Sequence, residues 1–279
     1  MEEFVSRERM LALLPKRPWA SAALAGLAGI LLPVCECAVV PIVKRLAGKG
    51  LPPQACVTYL LAAPIVNPLV AASTALAYRM DLRVVALRMV LGYAIALSAG
   101  LLLGRFFKAA TPFLEDAEEK HEHKGCACGH CHGPVKVQPS FSRRIIRSLR
   151  HAAEDFIAIG PYLILGAVVA AAATTYIDRR SFVALCSWPF AGSALMISLA
   201  FLLNLCSQAD AFVAASFSGL VPLSSQMAFM LIGPILDLKL LLMYRTLFKK
   251  RAIAFLAMIS LVMVALASII LSFFDGGAL

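Results

Sequence analysis

Cys35-Glu36-Cys37, followed by Pro64-Ile65-Val66-Asn67, returns in the other half of the chain as Cys206-Ser207-Gln208-Ala209-Asp210, followed by Pro234-Ile235-Leu236-Asp237. In the same alignment Pro52 falls on Pro222, and the two Cys elements match after a one-residue gap. Each copy sets thiol and polar side chains inside otherwise apolar sequence, so the chain reads as a duplicated membrane protein. Paired hydrophobic segments interrupted by Pro or Gly mark the central site of many transporters, where unwound backbone and polar groups face the pathway. A single copy would suit an ordinary proline kink. Two copies point to function.

Composition agrees. The 279 residues are 61% hydrophobic and 15% charged, against about 45–50% apolar in a soluble domain. Apolar runs near the roughly 20 residues that cross a bilayer as helix lie at 19–34, 55–78, 84–107, 156–177, 182–205, 226–247 and 252–274. They are too long and continuous for barrel strands of about ten residues. The expected fold class is all-α: a polytopic transmembrane helical bundle with two homologous repeats, each holding a re-entrant or broken helix. The net charge of +10 comes from short clusters such as Lys16-Arg17, Arg179-Arg180 and Lys249-Lys250-Arg251. These suit membrane ends and anionic headgroups and argue against nucleic acid. Arg79, Arg83 and Arg88 are grouped with Arg179 and Arg180 as loop charges, but Lys44, Arg45, Lys49 and the arginines of 143–150 oppose them, so orientation stays open.

Three regions are expected: a first membrane repeat at 1–108, a His/Cys-rich loop with an amphipathic segment at 109–155, and a second membrane repeat at 156–279. The first ten residues do not form a cleavable signal peptide. The span 156–177 has no counterpart before the matching part of the first repeat, so one helix is missing there. Either translation starts upstream of Met1, or a partner or lipid covers that face. The pieces 38–48 and 211–220 are too short to cross comfortably at about 1.5 Å per residue. They are expected to be half helices, interrupted by Pro41 and by residues 216–219, with a re-entrant hairpin favoured over a crossing.

Two thiols separated by one residue can converge on a soft ion such as Cu(I), Zn(II) or trivalent arsenic. Cys206, at the equivalent point of the second repeat, would supply a third sulfur. Buried Cys is otherwise a small hydrophobe, the reading given to Cys56 and Cys186. Ionisable groups within spans are costly and usually face a pathway; a helix-end or interfacial position is the alternative. The candidate substrate pathway is therefore Cys35, Glu36, Cys37, Asn67, Cys206, Gln208, Asp210 and Asp237. In the loop, His121, His123, Cys126, Cys128, His130, Cys131 and His132 stand among glycines, so a bound Zn(II) or Cu(I) is expected there, though no cofactor is required. Residues 141–151 interleave arginines with Phe141, Ile145, Ile146 and Leu149 and read as a surface helix.

Pro33 to Pro41, Leu61 to Pro68 and Leu205 to Phe212 resemble the bacterial predicted-permease superfamily of the YraQ and ArsP type, which includes organoarsenical and heavy-metal efflux permeases. The resemblance covers nearly the whole chain outside the His/Cys loop. It implies an eight-span protein of the cytoplasmic (inner) membrane that exports a thiophilic solute, with Cys35, Cys37 and Cys206 at matched positions. Gly-x-x-x-x-Gly-Lys-Ser/Thr is absent, so an ion gradient or an associated subunit would supply energy. The expected function is a multi-pass permease, not an enzyme, whose partners are the lipid bilayer, a soft metal or metalloid and a membrane or periplasmic subunit. The alternatives are a membrane metal-binding subunit of a larger complex and a thiol-redox enzyme. Cys-x-Cys spacing weakens the last.

Overall fold

The computed structural model describes residues 15, 17–31, 34–107, 112–114, 189–219 and 221–275. The His/Cys loop, the segment 141–151, the span 156–177, Cys186 and the N-terminal match at 7–14 lie outside the described residues.

The first half contains α1 (Pro18–Leu31), α2 (Glu36–Gly48), α3 (Pro53–Ala62), α4 (Pro68–Ala77) and α5 (Leu82–Phe106). In the second half are α6 (Pro189–Leu203), α7 (Ser207–Ser216), α8 (Leu223–Ile232), α9 (Leu238–Tyr244) and α10 (Lys250–Asp275). Among the described residues the regular structure is helical, with one isolated bridge between Phe113 and Phe248. The long apolar α5 and the stretch Lys250–Phe274 of α10 have the length and composition to cross a membrane.

Local chemistry sets the ends. Cys35 and Cys206 are extended N-cap residues of α2 and α7, and neither side chain caps its helix. Pro53 opens α3 and Pro68 opens α4, where a missing N–H costs nothing because the first-turn donors lack partners anyway. Asn67 and Asp237 then cap α4 and α9 by accepting the N–H of Leu69 and of Leu240, as short polar side chains do. Beyond α2, Gly50 takes φ +87°, and the Gly50 and Leu51 amides bond back to Ala47 and Leu46. That is a Schellman end, which favours glycine at the left-handed position.

The apolar runs 55–78 and 226–247 break at Pro64 and Pro234 as the sequence implies: each is a pair of helices, α3–α4 and α8–α9, separated by a turn at 63–66 and at 233–236. One sequence reading changes here. Pro41 does not interrupt α2, which continues through it from Glu36 to Gly48. The second short helix stops at Ser216, with Gly219 at φ +83° beyond it.

Packing places α3 and α8 innermost. α1 and α5 lie on α3, while α6 and α10 lie on α8. The halves meet through α5 with α10 and α8, α4 with α7, and α2 with α9. Every residue of α3 from Ala55 to Ala62 is buried, as is every residue of α8 from Ser224 to Ile232, including the polar Thr58, Ser224, Ser225 and Gln226. Outward faces are also apolar. Leu24, Leu27 and Leu31 of α1 and Met258, Val262, Leu266 and Ile270 of α10 are exposed, as suits a surface solvated by lipid tails.

Close approach of α3 and α5 depends on glycine. A Cβ on Gly100 would strike the Thr58 hydroxyl and lie 2.8 Å from the Gln54 carbonyl oxygen, which cannot move without displacing α3. Small residues allow such approach in membrane helices. Gly100→Ala is expected to destabilise by about 1–3 kcal/mol, read as a lower unfolding temperature of the detergent-solubilised protein. Val90→Ala, at an exposed position of the same helix, should leave it nearly unchanged.

Candidate functional site

The helix starts and helix breaks come together around buried charge. Glu36, the first residue of α2, is 1% exposed. Its Oε1 accepts the backbone N–H of Ser207, the first residue of α7, at 2.7 Å. Its Oε2 lies 3.3 Å from Nζ of Lys239, and the same ammonium lies 3.5 Å from Oδ2 of Asp237. Asp237 is fully buried and caps α9 through its Oδ1. In the amide orientation that satisfies its surroundings, Asn204 donates to both Asp237 oxygens, at 3.1 and 2.7 Å. One lysine therefore serves two carboxylates, each held by further N–H donors. Removing charge from water costs several kcal/mol per ion, which pairing and hydrogen bonding must offset.

A second cation enters from α5. Arg88 is completely buried. Its Nη1 donates to Thr74 Oγ1 at 2.8 Å, and its Nη2 donates to the carbonyls of Ser207 at 2.7 Å and Met230 at 3.4 Å. The guanidinium thus ties α4, α7 and α8 to α5. Asp210 on α7 is 1% exposed, and its Oδ2 has no hydrogen-bond partner. Its carboxylate lies against Gly233, where a Cβ would come within 2.6 Å of Oδ2. Farther along the interface, Tyr78 donates to Gln226 Oε1 at 2.8 Å, and Gln226 donates to the Val221 carbonyl.

The thiols are distributed differently. Cys35 is exposed and Cys37 half-buried, separated by one residue at the start of α2. Cys206 is also exposed and lines a groove of about 530 Å³ with Gln208, Leu69, Ser73 and Phe212. Among the described residues no group of three or more His, Cys, Asp or Glu side chains is spaced to hold a metal ion. A preassembled site of Cys35, Cys37 and Cys206 is therefore not seen. Where the two N-termini face each other, the Glu36 carboxylate receives the Ser207 N–H, so a carboxylate-to-backbone bond makes the contact expected of sulfur. Cys56 is buried, with its thiol directed to the Leu51 carbonyl.

Glu36, Asp210 and Asp237 thus enter one charged centre, Asn67 is a buried cap of α4, and Gln208 stands with Cys206 in the groove. Arg88 is corrected from a loop charge to a buried hub. It lies inside α5, so its side chain reaches the start of α7 rather than either membrane face. Lys239, Thr74, Ser207 and Asn204 were not anticipated. The misplaced Arg88 and the omitted Lys239 both carried a signal, since they are lone cations inside apolar runs, and such residues generally have a buried partner.

Comparison with known proteins gives one family. Residues 1–273 match the ArsP-type family described as "Predicted permease". The UPF0718 protein YcgR of Bacillus subtilis is 38% identical over 271 residues, covering 97% of this chain and 87% of that protein. A Streptococcus mutans protein named "Putative two-component membrane permease complex subunit" is 33% identical over 253 residues, covering 91% of this chain and 80% of its own length. No solved structure matches the chain.

Proposed function

We propose a transport function for this chain, which belongs to the predicted-permease family matched over residues 1–273: a multi-pass permease of the bacterial cytoplasmic membrane that exports a thiophilic metal or metalloid. The observation that carries transport is the buried centre of Glu36, Lys239, Asp237, Arg88 and Asp210, placed where α2 and α7 begin and where α8 breaks. A lipid-facing bundle has no structural need for so costly a group of charges, and intramembrane ionisable residues commonly mark a pathway. Irregular backbone inside a membrane protein likewise belongs where it lines a cavity or is covered by protein.

Two homologous repeats, 1–108 and 156–279, are part of this reading. Support comes from the matched order of elements: a short helix that follows an extended Cys, a Pro-led inner helix, a turn and a helix capped by Asn67 or Asp237. The cross-contacts also correspond, with α4 on α7 answered by α9 on α2. The short α2 and α7 would be the re-entrant elements. Such symmetry allows the halves to rock about a shared centre, exposing it to one side and then the other.

The choice of a soft solute rests on the Cys35–Cys37 pair at the start of α2, beside the charged centre, and on Cys206 at the start of α7. Residues 121–132 would act as an accessory that captures Zn(II) or Cu(I) before transfer. The name of the Streptococcus mutans relative favours a second reading, in which the chain works as one subunit of a membrane complex. Everted vesicles test both. Vesicles holding this chain alone should accumulate Zn(II), Cu(I) or trivalent arsenic when energised, and deleting residues 115–138 should lower the rate without abolishing it. Accumulation that needs a co-expressed partner would establish the subunit reading; none with any of these solutes, alone or with a partner, would remove the soft-solute assignment.

A further inference from the structure

Five charged side chains are buried among the described residues: Glu36, Asp210 and Asp237 against Arg88 and Lys239. The acids outnumber the bases by one. Local bonding shows where the imbalance falls. Glu36 has the Ser207 N–H and Lys239, while Asp237 has the Leu240 N–H, Lys239 and the Asn204 amide. Asp210 has an oxygen with no donor. Arg88 is the cation nearest in function, but its two terminal nitrogens are directed to Thr74 and to the carbonyls of Ser207 and Met230, and its Nε is itself without a partner. The charged groups that face Asp210 are Glu36 of α2, Arg88 of α5, Asp237 before α9 and Lys239 of α9. Two are acidic, so their fields largely cancel those of the cations.

The surroundings also leave little space for water or a metal ion on Oδ2. Gly233 opens the turn between α8 and α9 and lies directly against the carboxylate, so that even one added carbon would overlap it. An ionised carboxylate oxygen with neither donor nor solvent is among the most expensive groups to bury, whereas a neutral carboxyl costs far less.

We propose that Asp210 is a proton-binding site: it holds a proton in the conformation seen here and exchanges it with water when the turn at 233–236 moves off the carboxylate. The proton then leaves as the carboxyl O–H bond breaks, water accepts it, and Arg88 becomes the counterion of the resulting carboxylate. Joined to the transport reading, on which this step rests, the permease is driven by proton countertransport. The geometry gives the turn its part, because Gly233 and Asp210 belong to the broken element and the short helix that would shift when the halves rock.

Infrared spectroscopy of the purified full-length protein in lipid nanodiscs, titrated in pH, observes the proton without any transported solute. A protonated-carboxyl C=O band is expected at neutral pH, absent from Asp210→Asn, retained in Glu36→Gln and Asp237→Asn, and shifted in frequency by Gly233→Ala, which keeps the carboxyl and crowds it. Absence of the band from the folded wild type would overturn the proposal, as would its persistence in Asp210→Asn. Loss of the band on exchanging K⁺ for Na⁺ at constant pH would also overturn it, in favour of a sodium site. A band that follows Asp210 in a protein unable to move any soft solute would sustain the proton site and refute only the soft-solute assignment.

Discussion

Lys239→Met is expected to lower stability by about 3–5 kcal/mol, the usual result of removing one partner from a buried ion pair. Its ammonium is within 3.3 Å of Glu36 and 3.5 Å of Asp237, so methionine leaves two buried carboxylates without their common cation. Methionine has nearly the length of lysine and fills the same space, so the loss reports charge rather than packing. Adding Glu36→Gln should restore part of the loss by removing one of the stranded charges while keeping an oxygen to accept the Ser207 N–H. The coupling is measured as a double-mutant cycle on unfolding midpoints of the solubilised protein. Arg83→Met, at an exposed position, serves as the control. If Lys239→Met lost no more than that control, or if Glu36→Gln deepened the loss, the charged centre would not be the unit described.

The features legible in the sequence were those written as local breaks in apolar text. Pro64 with Asn67 and Pro234 with Asp237 announced both interruptions, because proline and a capping side chain act on their own backbone within a turn. The buried acids were legible for a related reason: a carboxylate in an apolar run must be paired, neutralised or at a helix end. Partnership was not legible. Glu36 meets Lys239 and Ser207 across the interface between the halves, and such contacts depend on helix placement rather than on spacing along the chain. Arg88 shows the limit best. Read with Arg79 and Arg83 it looked like part of a basic loop, yet α5 begins at Leu82 and carries it into the protein. Convergence of three sulfurs was a symmetry argument, and it passed over the backbone: the starts of α2 and α7 face each other through a carboxylate and an N–H, with Cys206 turned to the groove.

That arrangement orders the cysteine substitutions. Cys35→Ser and Cys37→Ser are each expected to lower export of Zn(II), Cu(I) or trivalent arsenic at least about tenfold, because a hydroxyl is a hard and weak replacement for a soft thiolate. The two thiols are separated by one residue at the start of α2 and would act on the solute together, so each variant alone should lose most of what the double variant loses. Cys206→Ser should have a smaller effect, since its sulfur stands in the groove with Gln208 rather than in a preassembled three-sulfur site. Cys56→Ser should leave export nearly unchanged, because that thiol is enclosed in the core and reaches only the Leu51 carbonyl. Vesicle uptake normalised to the amount of folded protein checks the series. An effect of Cys206→Ser as large as that of the pair would place a third sulfur in the pathway during the cycle, joining the starts of α2 and α7 around the solute. Wild-type export by Cys35→Ser and Cys37→Ser, with the protein at normal abundance, would leave the charged centre without a soft-metal site beside it. Recognition of the exported ion would then have to be sought in the buried charges rather than in these thiols.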